Sequence, residues 1–281
     1  MDYNSNIDHV IDSKALENYI TTKILGKNIM YYEEIDSTNT VAKRIGKETS
    51  THGVLVLANK QNAGRGRLGR EWDSPKNEGI WMSLILKPVI NITKASMLTL
   101  IAALAVNKGI RVVTGLESYI KWPNDIIING KKVCGILTEM STSKDILECI
   151  VVGIGINVSN TCFEPDIKNK ATSLKSEGCL QIDKLQLINE IMLAMEYYYE
   201  IFLRNQSLVD LSAEYNKWLI NRNNTVKIIE REESYTGVAL GINDLGELLV
   251  KTQVSVNGET IEIIKEVVSG EVSVRGVYGY V

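Results

Sequence analysis

Three stretches of this chain are apolar with almost no alternation: residues 53–59 (GVLVLAN), 80–86 (IWMSLIL) and 150–158 (IVVGIGINV). A strand with one wet face alternates polar and apolar side chains, so runs of this kind read as strands buried on both faces. Between the second and third runs, Ala95 to Val106 is apolar nearly all round, which predicts a buried helix. Together these segments predict an α/β (α+β) fold in which helices cover a central sheet.

Shorter signals fill in the rest. Ser13 to Leu25 carries Leu16, Ile20 and Ile24 at helical spacing and ends at Gly26. Ile29 to Glu34 reads as a strand, broken at 35–40 (IDSTNT), where Ser37 or Thr38 can cap a helix running through Arg44. Hydroxyls at such a turn also suit a neutral polar ligand. Val112 to Trp122 approaches Pro123, which removes a ladder donor and predicts a kink at the end of a strand. Residues 126–128 and 132–140, joined by Asn129-Gly130, predict a hairpin with a tight turn. The polar stretch Ser159 to Gly178 is a loop. Asp183 with Gln186 opens a helix striped with Leu185, Ile188, Met192, Met195, Tyr199 and Phe202, and Leu208, Leu211, Tyr215 and Trp218 mark another. After Asn224 the pattern changes to five short strands: 225–229, 235–242, 247–251, 260–264 and 272–274. Turns at Asn243-Asp244 and Asn257-Gly258 separate some of them. A small β-barrel or sandwich forming a second domain is expected.

Composition narrows the function. With 281 residues, 44% apolar, 23% charged and a net charge of −3, the chain is long enough for a proper core and too acidic for a dedicated nucleic-acid binder. Cys134, Cys149, Cys162 and Cys179 form no CxxC pair, so neither a zinc cluster nor a disulfide framework is indicated, and a reducing cytoplasm is the natural setting. The apolar segment Ala95 to Asn107 is too short to span a bilayer, and the first residues lack a basic region followed by an apolar one. With only His9 and His52, histidine-based triads and His-rich metal sites are poor hypotheses.

Against that acidic background, residues 64–70 read GRGRLGR. Glycines let the backbone approach a ligand, make the segment too flexible to be a helix or strand on its own, and let Arg65, Arg67 and Arg70 converge on a carboxylate or phosphate. The loop predicts an anion clamp that orders on binding; a solvated basic loop or an RGG-like nucleic-acid contact fits the heptapeptide equally. A second string, 121–125 (KWPND), presents Lys121, Asn124 and Asp125 after the proline kink, although an ordinary turn explains it as well. Lys132 stands at the mouth of an apolar strand, where a snorkelling side chain is common and a fixed catalytic charge is also placed. Gly153 and Gly155 leave one face of their strand bare, which suits close approach by a ligand or backbone.

Taken jointly, IDSTN (35–39), Gln61 with GRGRLGR, KWPND, Lys132 before VCGIL, and GIGIN (153–157) occur in an order and spacing that resembles the biotin protein ligases, from about residue 15 to the end, including SGEVSVR at 269–275. The resemblance implies a class II aminoacyl-tRNA-synthetase-like catalytic domain over residues 29–224. A leader with a short helix (1–28) would precede it, and an SH3-like barrel (225–281) would follow. It implies that biotin's carboxylate attacks the α-phosphate of ATP to give biotinyl-AMP, which then acylates a lysine of a biotin carboxyl carrier domain. By the same resemblance Ser37, Thr38, Asn39, Gln61 and the backbone of Arg65 and Gly66 would hold the ureido ring. Arg67 and Lys132 would meet the carboxylate and α-phosphate, with Arg65 and Arg70 supporting the closed loop. Gly135, Gly153 and Gly155 would leave room for the ring and tail under Trp72. Lys121, Arg70, Asn124 and Asn157 would serve the nucleotide, and Asp125 would orient or deprotonate the incoming lysine. Mg²⁺ is expected through the ATP phosphates and not on a protein metal site. No N-terminal repressor domain is expected, and a homodimer is allowed. A lipoate or octanoate ligase is the close alternative; a nucleic-acid-binding protein is the alternative of another class.

Overall fold

The computed structural model of the chain describes residues 11, 13–48, 50–143, 146–230, 233–256, 259–270, 272–276 and 280. His9, the Asn257-Gly258 turn and Glu271 lie outside the described residues.

Seven strands, β1 (Ile29–Ile35), β2 (Leu55–Gln61), β3 (Gly79–Leu86), β4 (Ser118–Lys121), β5 (Asp125–Ile128), β6 (Lys131–Ser143) and β7 (Ile146–Asn157), form one sheet ordered β1-β2-β3-β7-β6-β5-β4. β1 runs parallel to β2, while the other neighbouring pairs are antiparallel, so the sheet is mixed. Every residue of β3 is buried. The period of two explains the unbroken apolar runs: Leu55, Leu84 and Val152 face the main core, while Val56, Ile85 and Val151 face a second cluster under helix α2 (Thr38–Ile45). The main core is closed by α3 (Met97–Thr114) and α4 (Lys184–Asn205). α3 is longer than the apolar stretch predicts because Lys108 and Arg111 project from its margin, their cations over the rings of Tyr197, Tyr198, Tyr119 and Trp218. By length and composition the helical stretch around α3 could cross a membrane, yet most of it is buried against the sheet and α4, as a core helix is.

The predicted hairpin forms at β5 and β6, with Asn129 and Gly130 both at positive φ (48° and 76°), as a two-residue turn of this hand requires. Asp183 accepts from the N–H groups of Leu185 and Gln186, capping α4. The N-terminal helix, α1 (Ser13–Tyr19), ends earlier than its apolar spacing suggests. The chain beyond it is held instead by Glu196 of α4, whose carboxylate accepts from the N–H groups of Lys23, Ile24 and Leu25 at 2.7, 2.7 and 2.9 Å.

After α5 (Ser212–Trp218), strands β8 (Thr225–Glu230), β9 (Glu233–Ile242), β10 (Leu248–Val256), β11 (Glu259–Val267) and β12 (Val272–Gly276) form an antiparallel sheet ordered β11-β10-β9-β8-β12. The sequence predicts a small β-barrel or sandwich here. Among the described residues the sheet is open: β11 pairs with β10 and keeps most of its residues exposed, and no ladder joins it to β12. Trp122 fastens the two sheets together. It is buried, its indole N–H donates to Gly246 O at 3.0 Å and its backbone N–H to Asn221 Oδ1 at 2.9 Å.

Candidate active site

The arginine loop between β2 and β3 is laced into a narrow ribbon. Gln61 bridges Ser74, Arg65 bridges Glu71, Trp72 N–H donates to Gly64 O at 3.0 Å, and Gly66 N–H donates to Arg70 O at 2.7 Å. Leu68 and Gly69, at φ 58° and 72°, turn its tip. Gly64 is required by this closeness, since a Cβ there would lie 2.2 Å from Trp72 O. The heptapeptide, too flexible to order alone, is thus held by the chain on either side of it. Arg67 anchors the ribbon on the far side: Nη1 donates to Asn124 Oδ1 at 3.0 Å, and Nη2 donates to Gly270 O at 2.6 Å and Val272 O at 3.1 Å. Burial, with Arg70 nearby, draws the Arg67 guanidinium below its ordinary pKa, against the opposing pull of Asp125. Arg65 and Arg70 are exposed along the same ribbon.

Beneath the loop lies a small cavity of about 50 Å³ that gathers residues from widely separated stretches of sequence. Ser37, Thr38 and Asn39 reach it from the start of α2, Gln61 from the end of β2, Arg65, Gly66, Arg67 and Trp72 from the loop, Asn124 from the turn before β5, Lys132 and Gly135 from β6, and Gly153 and Gly155 from β7. A polar network fixes one wall. Thr38 N–H and Oγ1 donate to Gln61 Oε1 at 2.8 and 3.0 Å, and Gln61 Nε2 donates to Ser74 Oγ at 2.7 Å. Ser83 Oγ stands 2.7 Å from Thr38 Oγ1 and 2.6 Å from Asn39 Oδ1, and Asn39 Nδ2 donates to Glu139 Oε2 at 2.8 Å. A neutral polar ligand there would meet donors and acceptors whose orientations are already set.

The bare face of β6 and β7 is used differently from the expectation that all three glycines leave space for a ligand. At Gly153 the amide of Asn39 takes the room, 2.0 Å from where a Cβ would sit. At Gly155 and Gly135 the indole of Trp72 lies against the strands, 2.5 and 3.0 Å from the corresponding Cβ positions. Trp72 Nε1 is buried without a hydrogen-bond partner. The small cavity is what remains beside this ring.

A larger cavity of about 540 Å³ opens on the other side of the loop and shares Gly66, Arg67, Trp72, Asn124 and Lys132 with the first. Several charged groups gather around Asp125, and Asp166 and Lys170 also line the wall. Lys132 Nζ lies 2.6 Å from Asp125 Oδ1, and Tyr280 donates its phenol hydroxyl to Asp125 Oδ2. Burial opposes the Asp125 charge, but Lys132, Lys121 and these hydrogen bonds outweigh it and hold the carboxyl below its usual range. Lys121, 5% exposed, is pulled down from 10.5 to about 8 by burial, against the attraction of Asp125. Arg70 and Arg275 complete the basic rim. Elsewhere on the wall, Asn157 donates Nδ2 to Thr172 O at 3.0 Å, and Asn160 is buried with Oδ1 lacking a partner. Phe163 and Ile167 add apolar wall there.

The predicted site residues therefore converge on two adjoining cavities. Asn124 serves the loop more than a ligand: its Oδ1 receives Arg67 and its Nδ2 donates to Ile136 O at 3.0 Å. Sequence reasoning missed Asn160, Phe163, Ile167, Arg275 and Tyr280. The first three sit in a polar loop without periodicity, and the last two come from the second sheet and the chain end, where no local pattern points back to the loop. A polar pocket meeting a basic cavity at an arginine and a lysine suits a reaction that brings two anions together.

The comparisons agree with that chemistry. Residues 31–157 match the Biotin/lipoate A/B protein ligase family and residues 223–275 match the Biotin protein ligase C terminal domain. The bifunctional ligase/repressor BirA of Bacillus spizizenii is 39% identical over 236 residues, covering 83% of this chain and 72% of that protein. The biotin--[acetyl-CoA-carboxylase] ligase of Paracoccus denitrificans is 33% identical over 228 residues, 77% of this chain and 91% of that one. A solved biotin protein ligase from Aquifex aeolicus, in complex with biotin and ATP, superposes with a TM-score of 0.73 at 30% identity, covering 89% of this chain and 99% of that one. This chain belongs to the biotin protein ligase family.

Proposed function

We propose that the chain activates biotin as biotinyl-5′-AMP and transfers it to a lysine of a biotin carboxyl carrier domain. The observation that carries this reading is the meeting of the two cavities at Arg67 and Lys132. A carboxylate held on one side and a triphosphate on the other would touch at these two cations.

In the first step two anions must approach, so charge neutralisation and alignment are the main demands. The Thr38–Gln61–Ser74 chain holds the ureido edge of biotin, and Ser37, Asn39 and the backbone at Arg65 and Gly66 complete that end. Biotin's tail and Trp72 share the floor at Gly135 and Gly155, so binding lifts the indole and turns it into a cover. Lys132 leaves Asp125 to bridge the carboxylate and the α-phosphate as pyrophosphate departs. Arg67 exchanges its carbonyl partners on the second sheet for the same oxygens, with Arg70 and Lys121 on the outer phosphates. Asn157 serves the base. Mg²⁺ travels with the triphosphate, taking phosphate oxygens and water and offsetting their charge; Asp125, with both oxygens engaged by Lys132 and Tyr280, offers it little.

In the second step the carrier lysine attacks the acyl carbonyl and AMP leaves. Asp125, released from Lys132, orients or deprotonates that amine. A homodimer would pair an edge of the seven-stranded sheet with its copy.

The direct test is incubation with biotin, ATP and an apo-carrier domain, read by mass: the carrier gains one biotin, and the gain disappears without ATP. Protection against thermal unfolding by biotin but not by lipoate separates this reading from the lipoate alternative. Lipoylation of a carrier in place of biotinylation would contradict the proposal.

A further inference from the structure

Tyr280 has no task in the two steps above, yet it lines the larger cavity beside Asp125. Its hydroxyl donates to Asp125 Oδ2, across 155 residues of sequence, and its ring lies 3.7 Å from Lys121 Nζ. Asp125 on β5 and Lys121 on β4 are cross-strand partners on either side of the Trp122-Pro123-Asn124 turn. Tyr280 thus contacts both residues. When Lys132 leaves Oδ1, Tyr280 on Oδ2 still holds the carboxylate in one orientation, and the lone pairs of Oδ1 are open. A lone pair so fixed is aimed, and can receive an ammonium proton from one direction.

We propose that Tyr280 is a positioning residue for the transfer step: its hydroxyl fixes the direction and basicity of Asp125 toward the incoming lysine, and its ring restrains Lys121, the neighbouring cation. This rests on the role given to Asp125 above. Burial and the neighbouring Asp125 push the phenol of Tyr280 well above its ordinary range, so it remains a donor across working pH. Among the described residues, the other titratable or charged groups around Asp125 and Tyr280 are Lys132 and Cys134 on β6, Lys121 on β4, Arg67 and Arg70 on the loop, Tyr215 on α5 and Arg275 on β12. Lys132 is committed to the acyl phosphate during reaction, which leaves the phenol as the donor that stays with the carboxylate.

The experiment is the pH–rate profile of transfer from preformed biotinyl-AMP to an apo-carrier domain, for the unaltered chain, Tyr280→Phe and Asp125→Asn. Tyr280→Phe keeps the ring and loses the hydrogen bond to a charged acceptor. Transfer falls about tenfold, more than pyrophosphate exchange falls, and the acid limb moves to higher pH because a carboxylate deprived of a donor is more basic. Asp125→Asn abolishes that limb. An unmoved limb in Tyr280→Phe overturns the inference while leaving Asp125 in its role, and faster transfer overturns it in favour of a phenol that merely blocks the carboxylate. A limb that survives in Asp125→Asn removes the Asp125 reading, and the inference with it.

Discussion

Lys132 shows how a single residue's role changes once its partner is known. From sequence it is a strand-mouth lysine whose removal ought to cost little packing. In the fold it pairs at 2.6 Å with Asp125, which is only 8% exposed. Lys132→Ala therefore leaves the buried carboxylate with only Lys121 and Tyr280 to stabilise its charge, a loss of about 3 kcal/mol at most, beyond its catalytic effect. A double variant separates the two. Lys132→Ala should slow adenylation by at least about a hundredfold, and adding Asp125→Asn should restore the thermal midpoint without restoring adenylation. Recovery of adenylation in the double variant would place the catalytic charge elsewhere. Lys121 carries a pH signature of its own. Its ammonium is pulled down to about 8 by burial, so it loses its charge as pH rises through that value and the triphosphate loses a partner. The kcat/KM for ATP should fall above about pH 8, and Lys121→Arg, which stays charged, should remove that alkaline limb. An identical limb in the arginine variant would exclude Lys121 as its source. The pairing of Lys132 with Asp125 could not be read from spacing. It follows from a β-bulge between Ile126 and Ile127 that sets Lys132 opposite Ile127 while Asp125 faces Gly135.

At the scale of elements, the strands were legible where burial is two-sided and the helices where one stripe is apolar; β3, the Asn129-Gly130 hairpin and the Asp183 cap all follow from local chemistry. The run of α3 to its left-handed cap at Gly115 (φ 69°) was missed although that glycine is a local stop signal, and the openness of the second sheet was not legible because it depends on partners distant in sequence. The arginine loop lies between these cases. Its glycines announce close approach, but its anchorage to Gly270 and Val272 is a tertiary fact. Because Arg67 is the side chain that fastens the ribbon to the second sheet, Arg67→Gly should loosen the lid as well as weaken adenylation. Biotinyl-AMP then escapes and acylates nearby amines. The check is biotin label on an unrelated lysine-rich protein in the same tube: several-fold more with the variant is expected, and label confined to the carrier would mean the loop is no lid.

For the molecule as a whole, the site exists only because two sheets meet. The first supplies the Thr38–Gln61–Ser74 network, the glycine floor and the lysine–carboxylate pair, and the second supplies carbonyls for Arg67, the cation of Arg275 and part of the larger cavity wall. Trp122, buried between them, joins the KWPND turn to Gly246 and so ties the geometry of the phosphate end to the seating of the second sheet. Sequence order gave the residue types around this junction, while the juxtaposition itself is set by the fold. The reading stands on one reaction, the union of a biotin carboxylate with the α-phosphate of ATP where Arg67 and Lys132 line both cavities. Exchange of labelled pyrophosphate into ATP measures it directly. Exchange that requires biotin and falls at least about a hundredfold in Lys132→Ala is the predicted result; folded protein that exchanges label equally well without biotin, or not at all with it, would contradict it.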